Sequence, residues 1–405
     1  VAGCAVARAL INAGYDCVLY DQYDEPATGT SAVPCALVRP QVTKSTQTTS
    51  AYFNRAFDSI HTELTNAVGK DPDVVSERTG ALQLVTDASQ WPNNPYYTCL
   101  SRTQASEIAD VQLAGDALYF DSAGWVDLKS LCRYWLKRCK ARLKARGNRF
   151  TYTGATRVQS LVKTESGWLL LGEAKKVIDE SPLVIIASAE VAGRLPQTSH
   201  LPLQRSRGQL SYFAIDQQDS RHIPKTIITG KGSIIPVRQG VWLGSTHDRY
   251  SASTLPTASD DLINLQNAVS LCPQLVCAFA GTPAAKNAND TANEPRADVS
   301  WTGVRYSTPD RLPIIGAAPD HQWYREHYAD LRHGQQKQQY PQPQFHQGLY
   351  LATGFGSRGV LHSVYASDTL ATIISGDKPP PAADESFISA LLHPGRFIVR
   401  QLRRG

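Results

Sequence analysis

Two glycine-rich stretches, one at each end of the chain, have residue types and spacing that could do chemistry. Near the start, Gly3 opens a run of small residues, Ala5, Ala7 and Ala9, followed by Leu10 and Ile11; Gly14 stands where such a helix would stop. Cys17-Val18-Leu19-Tyr20 then reads as a short buried strand ending in Asp21. A glycine-opened helix, a turn, a strand and an acid form the second half of a dinucleotide-binding βαβ unit. There the glycines admit the pyrophosphate and the acid holds ribose hydroxyls. Gly3 fits the third glycine of that fingerprint, with the first two and their strand expected upstream of Val1. At the other end, the β-prone run 348–353 leads into Gly354-Phe355-Gly356-Ser357-Arg358-Gly359. A helical pattern through Val360, Tyr365, Leu370 and Ile374 follows. Glycines let a backbone approach a ligand closely. The unpaired N–H groups of a helix N-terminus suit an anionic or electron-rich edge. A plain tight turn is the competing reading.

Other elements must position these loops. Leu183-Val184-Ile185-Ile186-Ala187-Ser188-Ala189 reads as a buried strand ending in small residues, as expected where a sheet edge meets a cofactor; Ala187 joins the candidate cofactor residues. Residues 157–172 read as a hairpin about Glu165-Ser166-Gly167, and 81–85 and 240–244 as strands. The stretches 281–300 and 333–346 read as solvated loops.

Composition bounds the class. At 405 residues the chain can bury a large core and is expected to form two domains. It contains no uninterrupted apolar run of membrane-spanning length, and no signal-peptide pattern is visible. Its eight cysteines include no C-x-x-C pair, so no metal site is expected, and reduced thiols in a cytoplasmic protein are. The chain begins at Val1, and that start predicts a fragment. It contains no methionine.

Residues 127–149 are dense in Lys and Arg, with no acid between Asp127 and Glu165. Leu128, Leu131, Trp135 and Leu136 would supply the buried stripe of a helix. Its basic face, including Lys137, Arg138, Arg142 and Arg146, could bind phosphates or simply be solvated. The tail is also basic, with Arg396, Arg400, Arg403 and Arg404.

Taken together, these motifs resemble the D-amino-acid oxidase superfamily of FAD enzymes. The resemblance rests on Gly303-Val304-Arg305, on Thr308-Pro309-Asp310-Arg311-Leu312-Pro313-Ile314-Ile315-Gly316, on Gly356-Ser357-Arg358-Gly359 and on Pro394-Gly395-Arg396-Phe397. With Tyr328-Ala329-Asp330-Leu331 added, the chain is most similar to the FAD-dependent C-terminal domains of bifunctional tRNA wobble-uridine modification enzymes. The resemblance implies an α/β fold: a Rossmann-type FAD domain lacking its first strand (1–50, 150–200, 300–405) and an interleaved α+β substrate domain with a mainly antiparallel sheet (51–149, 201–299). It implies FAD as cofactor, tRNA as partner and a methyltransferase fused upstream in the parent protein. The implied reaction removes the carboxymethyl group of 5-carboxymethylaminomethyl(-2-thio)uridine as glyoxylate, leaving the aminomethyl form.

That substrate is an N-substituted glycine, whose carboxylate suits a planar, two-pronged cation. By resemblance Arg305 takes this role; Arg358 is a second candidate or an anchor of its turn. The loop Gly29-Thr30-Ser31 would approach the flavin, which makes Ser31 a cofactor residue, and Cys35 stands where the family usually has glycine. A free glycine or sarcosine-like amino-acid oxidase, or a non-catalytic tRNA-binding remnant, are the alternatives.

Overall fold

The computed structural model describes residues 1–42, 47–147, 149–279, 297–334, 340–376 and 385–404, without the side chains of 47–48, 142–146 and 385–387. Alanine dominates the first helix, α1 (Ala2–Asn12). Alanine loses no side-chain entropy in a helix, and its size lets α1 bury nearly all of its length. Gly14 ends the helix at φ +96°, while the amides of Gly14 and Tyr15 donate back to Ile11 and Leu10; this is a left-handed glycine stop.

Two of the parallel pairings lie in small sheets beside α1. β1 (Cys17–Tyr20) pairs in parallel with β2 (Phe150–Thr153). A separate sheet holds β3 (Val184–Ile186), β4 (Ile314–Pro319) and β5 (Phe345–Thr353), with β5 central, parallel to β3 and antiparallel to β4. α1 is closest to both sheets at Gly3. A Cβ there would lie 3.1 Å from Leu19 Cδ1 and 3.7 Å from the Ala187 Cβ.

Behind α1, helices α2 (Gln47–Val68), α3 (Leu128–Arg146) and α4 (Gly359–Ser375) close one core. α1 packs on α3 and α4, and α4 on α2. Leu128, Leu131, Trp135 and Leu136 of α3 are buried in it. Across the α2–α4 seam the Tyr52 hydroxyl meets His362 Nδ1 at 2.8 Å. The sequence reading placed 51–149 with the substrate half; α2 and α3 instead share the core of α1.

The remaining sheet is large and mainly antiparallel. It has eight strands, beginning at one edge with Val299–Ser307, Gln204–Ala214 and Gly240–Gly244. Its one parallel pairing joins Ile227–Thr229 to Ala81–Val85. The hairpin about Glu165-Ser166-Gly167 forms as expected, Ser160–Lys163 against Trp168–Leu171. Two loop expectations need correction at their ends. Val299 and Ser300 already belong to a strand, and Phe345 and His346 open β5. The segments 280–296 and 335–339 lie outside the described residues. Among those residues no helix is long and apolar enough to cross a membrane.

The C-terminal tail corrects another expectation. Arg396 is buried and grips both oxygens of Asp310, through Nε at 3.0 Å and Nη2 at 3.1 Å. It also donates to the carbonyls of Leu392, His393, Leu312 and Pro313. Arg400 binds the same carboxylate. Arg396 is therefore not free to meet RNA: with Arg400 it uses Asp310 to fasten the tail to the turn 308–313, while the Arg400 side chain stays 45% exposed and the single carboxylate leaves the trio a net positive charge. Arg403 and Arg404 remain exposed.

Burial alone would raise the Asp310 carboxyl, but Arg396 and Arg400 hold it below its ordinary value. The folded pKa is the lower one, so this stabilisation is complete above the unfolded pKa and disappears as pH falls through the folded one. Asp310→Asn should cost about 3–5 kcal/mol near neutral pH, since it leaves a buried guanidinium uncompensated. Denaturant melts should show the gap to wild type steady from about pH 8 to about pH 5 and closing below about pH 4. A gap that persists undiminished at low pH would remove charge from the explanation.

Candidate active site

The Arg305 strand, Val299–Ser307, runs antiparallel to Gln204–Ala214 and places Gly303 opposite Gly208. Gly208 makes room for the guanidinium: a Cβ there would lie 2.0 Å from Arg305 Nη2. Nη1 donates to Ser245 Oγ at 3.0 Å, and Nη2 to the Thr246 carbonyl at 3.0 Å. Nη2 also reaches His247 Nδ1 at 3.3 Å. Desolvation, followed by the guanidiniums of Arg305, Arg249 and Arg311, pushes the His247 imidazole down to about 4, so it is neutral and can accept. Arg305 Nε is buried without a partner. Among the described residues no carboxylate pairs with Arg305, and burial pushes it down to about 10. It remains a cation at neutral pH.

Beyond the strand, Ser307 bridges to Phe355 and brings in the second glycine loop. Gly354 and Gly356 sit at φ +72° and +57°, in the left-handed region that glycine adopts without strain. A Cβ on Gly356 would also lie 3.1 Å from the Ser307 Cβ. The loop ends at Arg358, directly before α4. Burial and then Arg311 push Arg358 down to about 10.

One cavity of about 1910 Å³ connects these features. Gly3, Asp21, Ser31 and Ala187 line one part of it. Gly354, Gly356, Ser357 and Gly359 line another, and Arg305 and Arg358 face the same space. Every candidate catalytic or cofactor-binding residue named from the sequence thus lies on it. Ser31 Oγ accepts from the Val1 backbone nitrogen at 2.8 Å, which ties its loop to the start of α1. Burial raises the Asp21 carboxyl above its ordinary value, although the Tyr23 amide donates to it. Cys35 is also on the cavity wall, and burial keeps its thiol well above the ordinary range.

A family model described as FAD dependent oxidoreductase matches residues 1–373. The chain belongs to this family. Among curated relatives it is 28% identical over 424 residues to the tRNA 5-methylaminomethyl-2-thiouridine biosynthesis bifunctional protein MnmC of Ralstonia nicotianae. It is 27% identical over 421 residues to that of Cupriavidus necator. Each match covers 100% of this chain and 60% of the relative, so the chain spans about three fifths of their length. The glycine oxidase of Geobacillus kaustophilus shares the fold at TM-score 0.70 and 17% identity, covering 98% of this chain and 96% of that one. The iminodiacetate oxidase of Chelativorans sp. BNC1 does so at 0.68 and 17%, covering 94% and 95%.

The geometry fits the cofactor of an FAD-dependent oxidoreductase. The cavity exceeds the roughly 300–1,000 Å³ that suits a drug-sized ligand. Gly3 provides the close helix–strand packing that the third fingerprint glycine exists to allow. Asp21 stands at the end of β1, where ribose hydroxyls are bound in such folds.

Sequence reasoning missed Arg39. It follows Ala36–Val38, lines the cavity, and is pushed down to about 10 by burial and then by Arg358. Its Nη1 donates to the Pro40 carbonyl, its guanidinium lies 5.2 Å from the Phe120 ring centre, and its Nε is buried without a partner. The available signal was an arginine closing an apolar run, Ala36-Leu37-Val38, immediately before a proline. Ser245 and His247 were missed as well; they lie in a loop with no motif.

The basic face of α3 is smaller than its sequence suggests. Lys129 and Arg133 pair with Glu25, Lys137 with Asp71, and Arg149 with Asp16. Arg138 donates to Tyr134 and lies over its ring. These acids come from remote parts of the chain, out of view of a local charge count. The side chains of Arg142 and Arg146 lie outside the described residues.

Gly208→Ala should displace Arg305 without touching the cofactor lining. Steady-state kinetics should show KM for a carboxylate substrate rising at least about tenfold (~1.4 kcal/mol), with flavin absorbance retained. An unchanged KM would mean that the Arg305 position does not matter to substrate.

Proposed function

We propose that this chain removes the carboxymethyl group from 5-carboxymethylaminomethyl(-2-thio)uridine at the tRNA wobble position, yielding the aminomethyl nucleoside and glyoxylate. The observation that supports it best is Arg305, a half-buried cation that lines the cavity, with no carboxylate paired to it among the described residues. The side chain of that nucleoside is an N-substituted glycine, which brings a carboxylate on the carbon next to the C–H bond to be oxidised. The names of the MnmC relatives support a tRNA substrate, and the parent protein would carry the fused methyltransferase.

In this reading, 1–50, 150–200 and 300–405 hold FAD, α2 and α3 buttress them, and the large sheet presents Arg305. Gly3, Asp21, Ser31, Ala187, Gly354, Gly356, Ser357 and Gly359 line the FAD site. Bound FAD supplies the acceptor for the hydride leaving the glycine methylene. Arg305 holds the carboxylate and fixes which C–H bond is presented. Arg358 and Arg39 add positive potential on the same wall. Neutral His247 keeps Arg305 turned toward the cavity. Loss of the hydride and the N–H proton leaves a C=N bond, and water adds across it to release glyoxylate and the primary amine. A neutral secondary amine needs no strong base for this step, and the lining holds no evident one.

The test is tRNA carrying the carboxymethylaminomethyl group, with glyoxylate and the modified nucleoside both measured. Arg305→Ala should keep its flavin and lose kcat/KM by the equivalent of about 2–5 kcal/mol, the usual loss when one partner of a desolvated charge pair is removed. Efficient oxidation of free glycine or sarcosine with none of the tRNA would favour the small-amine alternative instead.

A further inference from the structure

The loop after strand Gly240–Gly244 contains a residue that folding alone does not explain. Tyr250 is 91% exposed, the most exposed of the large hydrophobic side chains among the described residues. The loop beneath it is firmly braced. Asp248 accepts from the amides of Tyr250 at 2.8 Å and Ser251 at 3.2 Å. Arg207 and Asp248 exchange backbone hydrogen bonds at 2.7 and 2.9 Å. Buried Arg207, paired with Asp260, donates to the carbonyls of Ser253 and Leu255. Arg205 Nη2 donates to the Tyr250 carbonyl at 2.9 Å. The ring is thus held out in water from a fixed backbone, although burying it would have been favourable.

The position of this loop gives the ring a use. His247, Ala252 and Thr254, on either side of Tyr250, line the cavity that Arg305 faces. Arg205, Arg249 and Arg311 are exposed around the same opening, and Arg249 and Arg311 lie close enough to act on His247. None of the three pairs with a carboxylate among the described residues. Of the acids nearby, Asp310 pairs with Arg396 and Arg400 and Glu190 with Arg194, while Asp248 accepts its turn amides and lies near Arg207 and Arg205. On α3, by contrast, Lys129 and Arg133 share Glu25, and Lys137 pairs with Asp71.

We infer that this rim is the RNA-docking surface and that Tyr250 stacks on an unpaired base next to the nucleotide entering the cavity. Single-stranded RNA loops are recognised by aromatic rings that stack on splayed bases. Unpaired arginines flanking such a ring serve the adjoining phosphates. The inference rests on the tRNA reading above and names where that substrate is held.

The test uses the FAD-loaded protein and a fluorescent anticodon stem-loop RNA, followed by anisotropy across a salt series. Tyr250→Ala should weaken binding by about 5- to 150-fold, the range for loss of one base–aromatic stack, and Tyr250→Trp should restore it. Oxidation of sarcosine, if measurable, should not respond to either change. Arg249→Gln with Arg311→Gln should reduce the salt slope by about 1.4, two phosphates at about 0.7 each. Lys129→Gln with Arg133→Gln and Lys137→Gln should leave that slope as it is. Wild-type binding at Tyr250→Ala, or a slope that responds only to the α3 changes, overturns the inference and leaves the tRNA reading standing. Failure of the wild type to bind the stem-loop better than duplex DNA overturns both.

Discussion

A guanidinium taken out of water without a counter-charge costs several kcal/mol even after its surroundings relax. Arg305, half-buried on the cavity wall, carries part of that cost. Its hydrogen-bond partners are a hydroxyl, a carbonyl and a neutral imidazole, which satisfy N–H groups but leave the charge uncompensated. Arg358 and Arg39 add to the same imbalance, and Arg358 itself helps to depress Arg39. The protein carries this electrostatic cost in its free state. An arriving carboxylate relieves it, so the term that weakens the empty fold strengthens binding.

Much of the architecture keeps that cation in place. Gly208 clears the volume it occupies, and the loop after Gly240–Gly244 lends Ser245 and Thr246 to aim it. The strand continues through Ser307, which bridges to Phe355 and so couples Arg305 to the glycine loop before α4. The turn that follows is fastened by Asp310 to Arg396 and Arg400, and the chain then enters β4 in the smaller sheet. One continuous stretch, from Val299 to Pro319, therefore links the large sheet to the three-stranded sheet.

The local parts of this arrangement were legible in the sequence. The small-residue helix, the strand ending at Asp21 and the Gly354–Gly359 loop depend on nearest-neighbour rules, and each lies where periodicity placed it. The mainly antiparallel sheet came from family resemblance rather than from pattern. What remained hidden was long-range. Asp310 pairs with two arginines some ninety residues away, and Glu25 and Asp71 pair with Lys129, Arg133 and Lys137 from outside α3. A run of basic residues shows charge density, but only the fold shows which charges are already matched. Arg39 illustrates the reverse case: an unremarkable arginine after an apolar strand lies on the cavity with no acid paired to it among the described residues.

The central claim is that a protein cation awaiting a carboxylate governs the site. The most direct measurement compares two unreactive ligands of the same shape, methoxyacetate and methoxyacetamide, by calorimetry on the FAD-loaded protein. The account predicts saturable binding of the carboxylate and much weaker binding of the neutral amide, with the difference abolished in Arg305→Gln. Equal affinity for the two ligands in the wild-type protein would contradict it.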